Sequence, residues 1–302
     1  MANIIRSAKS GGDWTDNELR AFNISIINVD SATFFGQAVL PPTTVSPVIL
    51  NNIDMPADAS KAEKKFFKLL EDTFFTEESH VDDFAACLLK LLDYDTGLRA
   101  IHSHKELGFN MCGERVSARP DVCVMDRTGR GACVLLVQED KVRGVHRCWN
   151  RQRNTSRTDP EPQLIAEAIG AFSEACVTLR MSGQPAPDTK TLSGITMIGS
   201  APLLYKIPLT NELLIAINAG QYPQTPTIVQ RFMSPAVEYN DYVTYGMKPL
   251  DHRRAAFECL EAFKAFVVCT HPSPGVIWQN LFSVKVSDLV SPSIYSTCNN
   301  RP

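Results

Sequence analysis

The chain has 302 residues, of which 44% are hydrophobic and 21% charged. That composition excludes wholesale disorder, and the length is enough for a sizeable core in one large domain or two small ones. Thirty Lys and Arg against 33 Asp and Glu leave a formal net charge of −3, so any nucleic-acid binding must come from a local basic patch and not from a positive field over the whole surface.

No run of about 18 apolar residues occurs, and the opening MANIIRSAKS has no apolar signal core. The sequence therefore reads as an intracellular protein, cytoplasmic or nuclear, with no membrane partner. Nine cysteines with no C-x-x-C pair and no matching His spacing indicate neither a disulfide framework nor a zinc module. Cys87, Cys123, Cys133 and Cys176 fall in apolar runs and read as small buried hydrophobes. Nothing here fixes an oligomeric state.

Residues 1–58 mix two short apolar runs, 22–29 and 33–40, with the Pro-rich PPTTVSPVILNNIDMP, and read as an arm carrying a strand or two packed on the main body. Residues 59–302 read as one domain with a C-terminal elaboration. Over 60–75, Phe66, Phe67, Leu70 and Phe74 recur at helical spacing. A second helix is expected from Ser79 to about Leu92, with Ser79 and Asp82 placed as a capping box. Its apolar stripe is Val81, Phe84, Ala85, Leu88, Leu89 and Leu92. Glu78, Asp82 and Asp83 lie at its start, where acids favour the positive end of the helix dipole. Residues 97–118 read as one or two strands. His102 and His104 share a strand face there if the chain is extended, a pair that could bind a transition metal or act on a substrate; with no His-rich partner segment nearby the preferred reading is surface or half-buried histidines.

The stretch RPDVCVMDRTGRGACVLLVQEDK, residues 119–141, holds two β-type runs joined by a turn-rich DRTGRG, which predicts a hairpin. Pairing brings Asp121, Glu139 and Lys141 to one end of the sheet, with Glu139 and Lys141 on the same strand face. Two carboxylates and a lysine at a strand end suit a hard divalent cation, Mg²⁺ or Mn²⁺. Residues 142–158 then carry Arg143, Arg147, Trp149, Arg151, Arg153 and Arg157 with no acid among them. Guanidinium forks suit phosphate oxygens and an indole suits base stacking, so this segment is the candidate contact to DNA or RNA. A helix follows, with Asp159 as N-cap, Pro160 at the first position and Leu164, Ile165, Ala168, Ile169 and Phe172 as its buried stripe. Gln163 and Glu167, four apart, share a face.

Pro-Asp, a hairpin, Glu-x-Lys closing an apolar strand and a helix beginning DPEPQLIAEA resemble the PD-(D/E)XK nuclease superfamily. The wording LLVQEDK…DPEPQLIAEAIGAF is similar to largely uncharacterised fungal members of it. The resemblance spans residues 75–180 and, more weakly, continues to about 265. It implies an α/β fold with a central mixed β-sheet flanked by helices, a restriction-endonuclease-like core with elaborations. It further implies a metal-dependent nuclease in which Asp121, Glu139 and the backbone carbonyl of Asp140 hold Mg²⁺ or Mn²⁺. Lys141 would assist the attacking water and Gln163 would position water or the scissile phosphate. An additional acid would come from Asp82, Asp83, Glu78 or Glu167. Some branches carry Gln-x-x-x-Tyr in the following helix; Glu167 stands here in place of the Tyr. A fold kept for binding nucleic acid or protein without cleavage is the alternative. A third class, an enzyme acting on a small phosphorylated substrate, lacks a glycine-rich phosphate loop.

Downstream, residues 189–210 read as two strands broken near 199–202, and 211–218 as a short helix ended by Gly220. A strand is expected at 225–232, and an amphipathic helix from Asp251. Tyr205, Tyr222, Tyr242 and Tyr245 read as packing residues, and the tail from about residue 283 as poorly structured.

Overall fold

The computed structural model describes residues 6–75, 78–126, 132–139, 160–234 and 236–270. A 3-10 turn at Gly11–Asp13 leads to α1 (Asp16–Ala21), β1 (Ile24–Asn28), α2 (Ser31–Phe35), α3 (Pro47–Asn51), α4 (Lys61–Asp72) and α5 (Glu78–Leu91). Next come β2 (Arg99–Ser103), β3 (Leu107–Met111), β4 (Glu114–Ala118), β5 (Val122–Asp126), β6 (Ala132–Glu139) and α6 (Pro160–Met181). The remainder is β7 (Thr189–Ile198), β8 (Ala201–Thr210), α7 (Asn211–Ala219), β9 (Thr227–Phe232), α8 (Tyr239–Tyr245) and α9 (Leu250–Thr270). No described helix is long and apolar enough to cross a membrane.

The fold is α/β, with a mixed central sheet flanked by helices. Seven strands pair in the order β1-β9-β8-β7-β6-β5-β2. β1 with β9 and β6 with β7 are parallel; every other pair is antiparallel. Parallel neighbours need a long crossover, and α6 supplies it between β6 and β7. This explains why α6 is buried on all sides from Pro160 to Ala168 and on to Phe172, wider than a single apolar stripe. It packs on β6 and β7 on one side and on the β3–β4 hairpin and the N-terminal turn on the other. Two glycines permit that closeness. A Cβ at Gly194 would lie 2.9 Å from a Leu164 methyl, and one at Gly170 would lie 3.0 Å from Leu107 Cβ.

Local chemistry sets the helix ends. Ser60 N donates to Glu63 Oε2 at 2.7 Å and Ser60 Oγ accepts from Glu63 N at 3.4 Å, a complete capping box for α4. Thr210 Oγ1 caps α7, and Gly220 at φ +63° ends it. The run 33–40 does not form a strand. Asp30 Oδ1 accepts from Thr33 N at 2.7 Å and starts the short helix α2, which Gly36 stops at φ +75°. Ser79 is not an N-cap either, because α5 already begins at Glu78.

Residues 97–118 hold three strands, and two of them leave the main sheet: β3 and β4 pair only with each other. Their two-residue turn, Cys112 and Gly113, has positive φ at both positions, 54° and 83°, the requirement of a type I′ hairpin. Its amides then cap α7, Cys112 N donating to Ile217 O at 2.9 Å and Gly113 N to Asn218 O at 2.7 Å.

The N-terminal residues are integral to this core. Trp14, Phe22, Phe34 and Ile49 are buried in the same cluster as Phe232, Phe257 and Phe263. Arg253 of α9 fastens them. It is fully buried and donates to five backbone carbonyls, those of Met247, Lys248, Ile49, Asn52 and Ile53. Its guanidinium also lies 5.5 Å from the ring centres of both Phe66 and Phe67.

Candidate metal centre

α5 packs on β2, β5 and β6, with Phe84, Ala85, Leu88, Leu89 and Leu92 turned into the core. Asp82 precedes Leu89 by two helical turns and so flanks the buried stripe. Asp83, one step further round, is exposed. β2 ends at Ser103, which pairs with Val122, the first residue of β5. His104 and Asp121 therefore lie side by side just beyond that pair, joined by a hydrogen bond from His104 N to Asp121 O at 3.1 Å. His104 adopts φ +53°, a left-handed conformation that costs a non-glycine residue about 1–2 kcal/mol. The consequence is that His102 and His104 do not continue one strand: His102 stays in β2, and His104 turns out of it.

Asp82, His104 and Asp121 converge. One ligand atom from each lies within 4.8 Å of the other two, with both carboxylates half-buried and the imidazole exposed. An octahedral ion with ligands at about 2.1 Å spaces adjacent donors roughly 3.0 Å apart and opposite donors roughly 4.2 Å apart, so the three groups would draw in around a bound cation by side-chain rotation. The donor set, two carboxylate oxygens and one imidazole nitrogen on an open face, fits a divalent cation that keeps water or substrate oxygens as its other ligands.

The remaining sequence candidates fall out as follows. Glu139 ends β6, and Val137, two residues before it, pairs with Val122. The close of β6 therefore adjoins the start of β5, at the same end of the sheet as Asp121. Asp140, Lys141, Arg143, Arg147, Trp149, Arg151, Arg153 and Arg157 lie outside the described residues, as does Asp159. Gln163 is buried, and its Nε2 donates to Gly12 O at 2.9 Å, tying α6 to the N-terminal turn. Glu167 is buried one helical turn further on, and neither it nor Asp83 joins the cluster. Strand periodicity pairs His104 with His102, and the cluster takes His104 alone.

A second polar group sits under the N-terminus of α6. Glu161 Oε1 accepts from Tyr205 Oη at 2.6 Å and from Arg231 Nη1 at 2.7 Å, and Thr196 Oγ1 lies 3.1 Å from the same phenol. Thr196 pairs with Gln138 of β6, which places this network two strands from β5, at the same end of the sheet. It anchors the start of the crossover helix, the element that follows the arginine-rich segment.

Tyr94, Tyr205 and Tyr242 are buried, and burial holds each phenol well above its usual value of 10.0, with Glu161 adding to the effect at Tyr205. Folded values above unfolded ones mean that this contribution to stability is complete below about pH 10 and is lost as the pH rises further. In an alkaline titration the phenolate absorbance of these three should emerge together with loss of the far-ultraviolet circular dichroism. Ionisation of all the tyrosines before any loss of secondary structure would contradict the burial argument.

Compared with models of known protein families the chain matches none, and no curated protein matches it.

Proposed function

We propose that this protein is a divalent-metal-dependent nuclease of the PD-(D/E)XK type, hydrolysing phosphodiester bonds of DNA or RNA with Mg²⁺ or Mn²⁺. The observation that carries the reading is the meeting of Asp82, from the helix before the hairpin, with Asp121, the Asp of Pro-Asp, at the sheet end where Glu139 closes β6. Helix acid, Pro-Asp, hairpin, Glu-x-Lys strand and following helix are spread over some 80 positions of sequence, and the meeting of Asp82 with Asp121 supports the order that the resemblance implies.

A bound divalent ion would supply a water of lowered pKa and neutralise charge on the phosphate as it is attacked. Asp82, Asp121 and Glu139 would hold it, with the carbonyl of Asp140 as a further hard oxygen. Lys141 would donate a hydrogen bond to the attacking water or to the developing oxyanion. The arginines of 143–157 would grip flanking phosphates, making affinity steeply salt-dependent. A binding module without cleavage is the second reading. What favours it is Gln163, whose Nε2 already donates to Gly12 O within the fold.

The test is a panel of divalent cations against single- and double-stranded DNA and RNA, with Lys141→Ala as control. Metal-dependent cleavage of at least one substrate that Lys141→Ala abolishes is the expected result. Salt-sensitive binding with no cleavage under any cation supports the binding module instead.

A further inference from the structure

We propose that His104 is a direct metal ligand and that it makes this centre selective for Mn²⁺ over Mg²⁺. The inference rests on the reading of Asp82 and Asp121 as metal ligands and adds to it a preference that the carboxylates alone would not impose. An all-oxygen site of carboxylates, carbonyls and waters suits Mg²⁺, which demands hard donors and sheds its water reluctantly. Imidazole nitrogen is a softer donor and shifts the balance toward first-row transition ions. His104 lies within 4.8 Å of both carboxylates, as close as they are required to lie to each other.

The main chain holds the two residues side by side: the backbone N–H of His104 is bonded to Asp121 O at 3.1 Å. The adjacent cation, Lys105, bonds Glu106 O at 2.6 Å and lies 3.6 Å from the Glu174 carboxylate. His102, two residues earlier, stays within β2 opposite Cys123.

The experiment is calorimetric titration of the full chain with Mn²⁺ and, separately, Mg²⁺, comparing wild type, His104→Gly and Asp121→Asn. Glycine accepts φ +53° without strain, so His104→Gly removes the ring while leaving the fold intact. Wild type should bind Mn²⁺ at least about tenfold more tightly than Mg²⁺. His104→Gly should lose about tenfold or more for Mn²⁺ while Mg²⁺ changes by less than about threefold. Unchanged Mn²⁺ affinity in His104→Gly, with both cations lost in Asp121→Asn, overturns the His104 assignment and leaves the carboxylate site standing. Unchanged affinity in both variants overturns the nuclease site as well. A second readout needs no variant: Mn²⁺ should selectively broaden the His104 ring resonances of the wild-type protein, and sharp His104 signals under saturating Mn²⁺ would refute direct ligation.

Discussion

Asp121→Asn should lower metal-dependent cleavage at least about 10³-fold, equivalent to roughly 4 kcal/mol of transition-state stabilisation. The amide keeps the shape of the side chain and removes the negative charge that, on the proposed reading, would draw a cation to the cluster with Asp82 and His104. Asp82→Asn should act on the same ion, so the double variant should be scarcely worse than Asp121→Asn alone. Non-additivity of that kind is what residues sharing one ligand produce, whereas independent roles would multiply. Thermal unfolding gives a readout separate from activity. Added Mn²⁺ should raise the wild-type midpoint by mass action and leave that of Asp121→Asn unmoved. Equal stabilisation of both proteins by the cation would remove Asp121 from the metal shell.

Arg253→Ala should be the most damaging single change to the fold, costing about 4 kcal/mol or more. The side chain is fully buried, and its removal strands the buried carbonyls of Met247 and Ile49 and frees those of Asn52, Ile53 and Lys248, which are part-buried. Each orphaned buried acceptor costs about 1–3 kcal/mol before relaxation. Burial pulls the guanidinium down from 12.5 to about 10, an effect that the carboxylate of Asp54 opposes. The group therefore stays a cation at neutral pH, and its partners are peptide dipoles and the two phenylalanine rings. Arg253→Lys should recover little, because an ammonium lacks the planar fork that reaches two chain segments at once. In a domain of this size the midpoint should fall by roughly 10 °C in either variant. A fall of only a degree or two in Arg253→Ala would show that the five hydrogen bonds are readily replaced by water.

Much of the framework is legible in the residues because local and global preferences agree there. The hairpin of 122–139, the capped helix α4 and the Gly220 stop of α7 all follow from alternation, capping boxes and left-handed glycine. What escapes is set by contacts between distant segments. The β3–β4 hairpin is hidden because its type I′ turn is Cys112-Gly113, where the usual signal is Asn-Gly or Asp-Gly. α2 is hidden because its run of apolar residues is too short to show a period, and the Asp30 cap decides it. At the candidate centre, Glu78, Asp82 and Asp83 are not told apart by the sequence, and Asp82 is picked out by its meeting with Asp121 and His104 across the fold. His104 could not be separated from His102, since strand periodicity presumes a negative φ and this residue turns out of the strand at +53°.

The parallel pairing of β1 with β9 carries a consequence for biosynthesis. Ile24 and its partner Thr227 lie about 200 positions apart, so at the usual elongation rates of about 5–20 residues per second β1 waits roughly 10–40 s for its neighbour. Phe22, Ile24 and Phe34 spend that interval without their native cover. The sheet therefore cannot close over β1 until β9 has been made, and the chain between them is exposed to chaperones until then.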